Sequence, residues 1–373
     1  MNGYFVDKLS MHQEHQTALP LVGASLYVEE DLLTGEVISK NPKALQLEGS
    51  YSSKITIKCN GSRVSVSGNP SRHNRIDNLF GILTIDECVR IYNTILSKHG
   101  LPPFTKCSKI EYAQSPDGTK AKVITDGAII TAVDWTKNHT VGQGNVHQFL
   151  RGLSSQSIGR GKVGHLYSNG CTLNWGEGSE YKMTSIYDKE NDLKRHRKKR
   201  LKDASDEDIK YYDDLISLCK TYGVAREEHK FKRLFLDRNN LKFYGLFKDN
   251  HFDPYLNSVD EIMTRCEVTG MKQKSIADQL LAKEIVKSRQ AANATQVYAT
   301  LWMEGVDLRT QLKRRQFYEH KSRLKKIGID ISCPFDVTRM SPTILKRKLI
   351  EVSDLQIPSW YRNVETSYFS LVS

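Results

Sequence analysis

The stretch Lys54-Ile55-Thr56-Ile57-Lys58-Cys59-Asn60-Gly61-Ser62-Arg63-Val64-Ser65-Val66-Ser67 decides the fold class. Apolar residues alternate with polar ones on both sides of Asn60-Gly61, a pair that tolerates the positive φ of a tight two-residue hairpin. The pattern predicts Ile55 and Ile57 paired against Val64 and Val66 in an antiparallel sheet with one buried face. Downstream, Thr84-Ile85-Asp86-Glu87 has capping-box spacing. Cys88, Val89, Ile91, Tyr92, Ile95 and Leu96 then recur at helical period until Gly100 and Pro102 end the run. Residues 109–114 and 121–135 read as strands, a short helix carries Val146, Phe149 and Leu150, and Asn169-Gly170 turns a second hairpin between Leu166 and Trp175. Helices laid on an antiparallel sheet are the expected result.

Tyr181 to Tyr187 alternates as one more strand, and the run Leu193-Lys194-Arg195-His196-Arg197-Lys198-Lys199-Arg200 follows it. That run suits either a solvated helix face or contacts to a nucleic-acid backbone. Ser205 caps a helix ending near Gly223, while 231–247 mixes aromatic and basic residues without a period. Beyond about residue 270 helix formers dominate. There 295–304 reads as a helix, Gly305-Val306-Asp307 as a turn, and 308–312 and 315–327 as two further helices. This is helix-turn-helix spacing, with Arg315, Gln316, Tyr318 and Lys321 on the polar side of the last helix. A helical hairpin that merely packs fits the same pattern.

The chain has 373 residues, 55 Lys+Arg against 43 Asp+Glu, a net charge of +12 and a hydrophobic fraction of 39%. Those values exclude a disordered chain and an integral membrane protein, and they favour a polyanionic partner, nucleic acid before membrane. Seven cysteines stand singly, without the close pairs of a zinc finger or redox motif, so a reducing compartment is expected. The first residues lack a basic segment followed by an apolar run, which points to the cytoplasm.

Familiar nucleotide and metal motifs fail on inspection. His12-Gln13-Glu14-His15 is not a zincin spacing, the glycines at 159–164 do not end in Gly-Lys-Ser/Thr, and Gly142-Gln143-Gly144 lacks a third glycine. His147 and His165 stand alone, as solvated or core histidines. Two places keep chemical interest. In Ile186-Tyr187-Asp188-Lys189, strand alternation sets Tyr187 and Lys189 on one face, where an ammonium favours the phenolate, a nucleophile towards phosphorus. In Ile129-Ile130-Thr131-Ala132-Val133-Asp134-Trp135 a carboxylate enters an apolar strand, a costly placement unless a metal or hydrogen bond offsets it. A packed tyrosine and a turn-capping aspartate are the plain alternatives.

Taken in order, Gly68-Asn69-Pro70-Ser71-Arg72, Asp77-Asn78-Leu79-Phe80-Gly81, Ala132-Val133-Asp134-Trp135-Thr136, Leu173-Asn174-Trp175-Gly176-Glu177-Gly178-Ser179 and Ile186-Tyr187-Asp188-Lys189 resemble the gene II replication initiators of filamentous phages. Arg315 to Lys321, Gly328-Ile329-Asp330-Ile331 and Ile357-Pro358-Ser359-Trp360-Tyr361 resemble the gene X portion of the same proteins. Within the family, the replication proteins of CTX-type vibrio phages look nearest.

The resemblance implies an α+β protein: an antiparallel-sheet nicking domain with flanking helices, then a helical C-terminal region with a helix-turn-helix. The expected boundaries are an N-terminal extension at 1–50, the catalytic domain at 51–250, a helical connector at 251–290 and the DNA-binding region at 291–373. It further implies a rolling-circle nickase and strand-transferase acting through a 5′-phosphotyrosine at Tyr187, assisted by Lys189, with Mg²⁺ or Mn²⁺ held by Asp134 and Glu228. Ala132, Ser185 and Glu180 stand where the family has basic residues, leaving Lys182, Arg195 or Lys198 to supply that charge. Lys182, Arg195, Lys198, Arg200, Arg315, Gln316, Tyr318 and Lys321 are the expected DNA contacts. Implied partners are the double-stranded phage origin, single-stranded phage DNA, and the host helicase and polymerase, in the cytoplasm of the host bacterium and without a membrane. A non-catalytic DNA-binding regulator or origin-recognition protein is the alternative.

Overall fold

The computed structural model describes residues 3–49, 53–114, 121–158, 163–256, 259–262, 276–335 and 352–362. Its centre is an antiparallel sheet whose first strand is β1 (Phe5–Glu14). β2 (Leu21–Val22), β3 (Ser25–Glu30), β4 (Val37–Lys43), β5 (Leu45–Gly49), β6 (Ser53–Asn60) and β7 (Arg63–Gly68) follow. Next along the chain come β8 (Ile110–Gln114), β9 (Ala121–Thr125), β10 (Ile129–Thr140), β11 (His165–Leu166), β12 (Thr172–Trp175), β13 (Lys182–Asp188) and β14 (Val224–Lys232). β15 (Ser353–Asp354) is the last. The order across the sheet is β11-β12-β13-β14-β10-β1-β7-β6-β2, with β5 on β6 and β15 on β10. β3–β4 and β8–β9 are separate two-stranded ribbons.

The hairpin that opened the reading forms as β6–β7, with Ile57 opposite Val66 and Cys59 opposite Val64. Its register is set one step later than Asn60-Gly61 suggested. Ile55 meets Gly68, and the turn centres on Gly61-Ser62 because the Asn60 side chain accepts from the Ser62 and Arg63 amides. Helix α1 (Ile85–Lys98) begins at Thr84, whose hydroxyl accepts from the Glu87 amide, and buries Ile85, Cys88, Val89, Tyr92, Ile95 and Leu96. These pack with Leu9, Val66, Val133 and Trp135 in the main core. Residues 121–135 are two strands rather than one, since the Asp126 carboxylate accepts from the Ser108 and Lys109 amides and breaks the run there.

Two corrections concern boundaries. Residues 5–14 are no extension: β1 lies inside the sheet between β10 and β7, because its alternation of buried Val6, Leu9 and Met11 fits a strand with both edges paired. The C-terminal segment is not wholly part of a helical region. β15 pairs with β10, and the Tyr361 hydroxyl donates to Asp77 Oδ1 at 2.6 Å, back in the sheet domain. Residues 257–258 and 263–275 of the expected connector, Cys266 among them, lie outside the described residues.

Helix α2 (Val146–Ser154) packs on β12 and β13. α3 (Lys189–Arg200) starts directly from β13, and α4 (Asp206–Tyr222) runs from its Ser205 cap to Gly223. Gly223 has φ +59°, and a Cβ there would lie 1.9 Å from the Gly142 carbonyl oxygen, so only glycine lets α4 turn into β14 at this point. The short α5 (Arg233–Arg238) and α6 (Asp253–Leu256) close the main core. A separate helical core holds α7 (Ile276–Ala282), α8 (Arg289–Met303), α9 (Leu308–Gln311) and α10 (Arg314–Lys325). α10 buries Phe317, His320 and Leu324 against it and leaves Arg315, Gln316 and Tyr318 exposed. No helix among the described residues is long and apolar enough to cross a membrane.

Candidate active site

Three neighbouring strands carry one polar face. Asp134 of β10 lies opposite Lys230 of β14, Thr136 opposite Glu228, and Asn138 opposite Arg226. Ser185 and Tyr187 of β13 lie opposite Glu228 and Arg226. Alternation with period two therefore groups Tyr187, Arg226, Glu228, Lys230 and Asp134 on one side of the sheet. On the other edge of β10, Lys8 faces Asp134, and a bulge in β1 between Val6 and Lys8 frees Asp7 from the ladder.

The Tyr187 hydroxyl donates to Glu228 Oε1 at 2.6 Å, and Glu228 Oε2 is 3.2 Å from Lys230 Nζ. Tyr187 is half-buried. Burial first, and the Glu228 charge second, push its phenol well above the ordinary range, against the pull of Arg226. Asp134 is pushed up to about 7, chiefly by burial, with Lys230 opposing and Glu228 adding to the rise. Perturbed groups gathered on one face mark a candidate reaction centre.

Arg226 is fully buried. Its Nε donates to Asn138 Oδ1 at 2.9 Å, and Nη2 donates to the carbonyls of Asn78 and Leu79 at 2.5 and 2.8 Å. Nη1 lacks a hydrogen bond, with Asp7 Oδ1 4.0 Å away. A buried guanidinium is retained only where such bonds offset its desolvation. The two short motifs Gly68 to Arg72 and Asp77 to Gly81 now have a purpose: Asn69 and Asn78 both donate to Asp7 Oδ1, at 3.0 and 2.8 Å.

Lys189 does not continue the strand. β13 ends at Asp188, which caps α3 through the Asn191 amide, and Lys189 is the first helical residue. It still reaches the same neighbourhood, with Nζ 5.8 Å from the Tyr187 ring centre. The ammonium is paired to Asp192 Oδ2 at 2.9 Å and buried; burial and Arg226 lower its pKa. Arg200 departs from its expected place. Its guanidinium is buried and donates to the Tyr212 hydroxyl at 3.1 Å, so it is not part of an exposed basic face. Lys182 is half-buried and Arg195 pairs with Asp192 at 3.4 Å, while Lys198 and Lys199 are exposed. The cations that strand pairing and the start of α3 set beside Tyr187 are Arg226 and Lys189. Arg226 and Lys230 were legible only as period-two partners of Glu228, and Asp7 gave no signal.

Glu227 points to the opposite face, where His139 Nε2 and His229 Nε2 lie 2.8 and 2.7 Å from its oxygens and Tyr4 donates at 3.1 Å. All four residues are buried. Despite burial, His229 and these hydrogen bonds hold the carboxyl down at about 2. One strand therefore serves a packed ionic cluster with Glu227 and the candidate site with Glu228.

The sequence profile for the N-terminal part of the replication-associated gene II protein matches residues 7–250, and the profile for the C-terminal part of the same protein matches 280–366. The chain belongs to the gene II family of replication-associated proteins. The replication-associated gene II protein of Escherichia phage If1 is 37% identical over 314 residues, which is 82% of this chain and 97% of that protein. Its counterpart in Enterobacteria phage I2-2 is 23% identical over 157 residues, or 41% of this chain and 46% of that one. A rolling circle replication initiator protein from Geobacillus stearothermophilus superposes over 64% of this chain and 78% of its own, with 11% identity and a TM-score of 0.23. A superposition that loose does not establish a shared fold. The filamentous-phage family implied by the short motifs is borne out, and the N-terminal match begins inside β1, in keeping with its place in the sheet.

Asp134 and Glu228 are oxygen donors of the kind Mg²⁺ and Mn²⁺ take. With Asp7 they do not bring three ligand atoms together among the described residues. Two carboxylates completed by substrate phosphate is nonetheless a common arrangement for Mg²⁺.

Proposed function

We propose that this protein nicks one strand of the double-stranded phage origin and later rejoins the displaced strand, so starting rolling-circle replication. The observation that carries the reading is the 2.6 Å hydrogen bond from the Tyr187 phenol to the Glu228 carboxylate, flanked by Arg226 and Lys189. Tyr187 Oη attacks the scissile phosphorus as Glu228 takes the phenolic proton. The bond from phosphorus to the 3′ oxygen breaks, leaving a 5′-phosphotyrosine and, once that oxygen is protonated, a 3′-hydroxyl for a host polymerase. Attack by a later 3′-hydroxyl reverses the step and circularises the strand. Arg226 and Lys189 stabilise the charge that builds on the phosphate. Asp134, with Glu228, would hold Mg²⁺ or Mn²⁺, which polarises the phosphate oxygens when bound.

The exposed face of α3 around Lys198 and Lys199, with Arg195 beside it, is assigned to backbone phosphates. Arg315, Gln316, Tyr318 and Lys321 of α10 are assigned to base edges of the origin, with single-stranded phage DNA as the product bound after displacement. The host helicase is recruited at the opened strand, in the host cytoplasm.

The test is a labelled origin strand incubated with the protein and Mg²⁺ or Mn²⁺, run on a denaturing gel, with peptide mapping of the adduct. A covalent species mapped to Tyr187, absent in Tyr187→Phe while origin binding persists, is the expected result. An adduct on another residue, or nicking by Tyr187→Phe, overturns the nucleophile. Binding without any nicking by the wild-type protein favours the regulator.

A further inference from the structure

On the opposite side of β13 from Tyr187, three side chains from three separate elements converge. His147 is the second residue of α2, Cys171 lies in the turn between β11 and β12, and Asp188 ends β13. Their Nε2, Sγ and Oδ2 atoms all lie within 4.8 Å of one another; Nε2 to Sγ is 3.6 Å and Nε2 to Oδ2 is 3.5 Å. In a tetrahedral zinc site with metal–sulfur bonds of about 2.3 Å and metal–nitrogen bonds of about 2.0–2.1 Å, sulfur and nitrogen are about 3.5 Å apart. The spacing is therefore that of two edges of such a tetrahedron, before any ion is placed.

The surroundings fix these donors. Asn191 Nδ2 donates to Cys171 Sγ at 2.9 Å, while the Asn191 amide occupies Asp188 Oδ1 at 3.1 Å, turning Oδ2 towards His147. The Asp188 amide donates to the Cys171 carbonyl at 2.9 Å, and the Cys171 amide to Asn169 Oδ1 at 3.0 Å, so turn and strand end are locked together. Gly170, at φ +67°, lets the turn pass under the imidazole; a Cβ there would sit 3.3 Å from His147 Nδ1. Cys171 and Asp188 are buried, whereas the His147 side chain is 55% exposed, which leaves a fourth position open to solvent. Outer hydrogen bonds of this kind orient metal ligands.

We propose that His147, Cys171 and Asp188 bind a divalent transition ion of the zinc type, with water as fourth ligand. Nitrogen, sulfur and one carboxylate oxygen select a borderline-soft ion over Mg²⁺. Binding displaces the thiol proton to solvent and forms the metal–sulfur bond. The ion braces α2 and the β11–β12 turn against the β13–α3 junction, one residue from Tyr187 and on the face that the all-oxygen Asp134–Glu228 pair does not occupy. The motif is invisible in sequence because its members are 24 and 17 residues apart.

Full-length protein stripped with chelator and titrated with Co²⁺ should develop a thiolate-to-cobalt charge-transfer band that saturates at one ion per chain and that Zn²⁺ abolishes. The band should vanish in Cys171→Ser and persist in Cys333→Ser. His147→Asn, at an exposed position, should weaken binding at least about 100-fold, since losing even an outer partner costs about 10–100-fold. Tyr187→Phe should bind Co²⁺ like the wild type, which keeps this result separate from the nicking assay. Absence of the band in the wild type, its survival in Cys171→Ser, or displacement of Co²⁺ by millimolar Mg²⁺ overturns the site.

Discussion

Replacing Glu228 by Gln separates a proton acceptor from a metal ligand. Glutamine keeps the length of the side chain, so its amide oxygen still accepts from the Tyr187 hydroxyl 2.6 Å away. Its amide nitrogen then faces Lys230 Nζ across 3.2 Å, donor against donor, and the ion pair is lost. Lys230 is 36% exposed and keeps its access to water when the pair is lost, so folding should survive. The chemical step should suffer far more, because an amide takes no proton from the phenol; loss of a general base typically costs about 10²–10⁴ in rate. That corresponds to about 3–5 kcal/mol of transition-state stabilisation. The assay is single-turnover nicking of a supercoiled origin plasmid across a Mn²⁺ titration, with binding followed in parallel by gel shift. Nicking should fall by that factor at every Mn²⁺ concentration, with DNA binding no weaker, since a negative charge has been removed. A rate within about threefold of wild type would refute the base assignment, and recovery at high Mn²⁺ would return Glu228 to metal binding alone.

Arg226→Lys should lower the thermal midpoint by an amount equivalent to about 2–5 kcal/mol, since one ammonium cannot serve Asn138, Asn78 and Leu79 together and buried acceptors are left unpaired; a calorimetric midpoint near that of wild type would contradict this. Glu227 is held at about 2, below its ordinary 4.5, so its contribution of about 3 kcal/mol is present above pH 4.5 and is lost as pH falls towards 2. Urea midpoints at pH 7 and pH 3 should therefore converge in Glu227→Gln relative to wild type, and an unchanged gap would show that the cluster does not control acid stability. Lys198→Ala with Lys199→Ala should weaken origin and random DNA alike and reduce the slope of log affinity against log salt by about 2; an unchanged slope removes α3 from the interface. Gln316→Ala with Lys321→Ala should lower the preference for origin over random duplex in competition binding, whereas equal losses on both would displace the reading helix from α10.

Local patterns were enough for the elements whose signals are short in range. The Thr84 cap and the apolar period after it became α1, the Ser205 cap and Gly223 bounded α4, and the alternation at 54–67 became β6–β7. Each depends on contacts within a few residues, where propensity and capping act. β14 was not legible in the same way. β14 is buried on both faces and carries Arg226, Glu227, Glu228, His229 and Lys230, a charged string with none of the alternation that marks a strand. Its neighbours neutralise those charges, and neighbours are a tertiary fact.

By itself the sequence determined that this is an antiparallel sheet with helices, basic overall, ending in helices, and that Tyr187 stands at the end of a strand among motifs of the gene II type. Only the folded chain decided what surrounds that tyrosine. Strand pairing set Glu228 at its hydroxyl, a bulge brought Asp7 to Arg226, and the change from strand to helix at Asp188 reoriented Lys189. It also sank Arg200 beneath the surface and gathered His147, Cys171 and Asp188. The division has a physical cause: backbone preferences and periodicity act over one or two turns, whereas electrostatics and coordination depend on distances in space, which register and burial set only when distant segments meet.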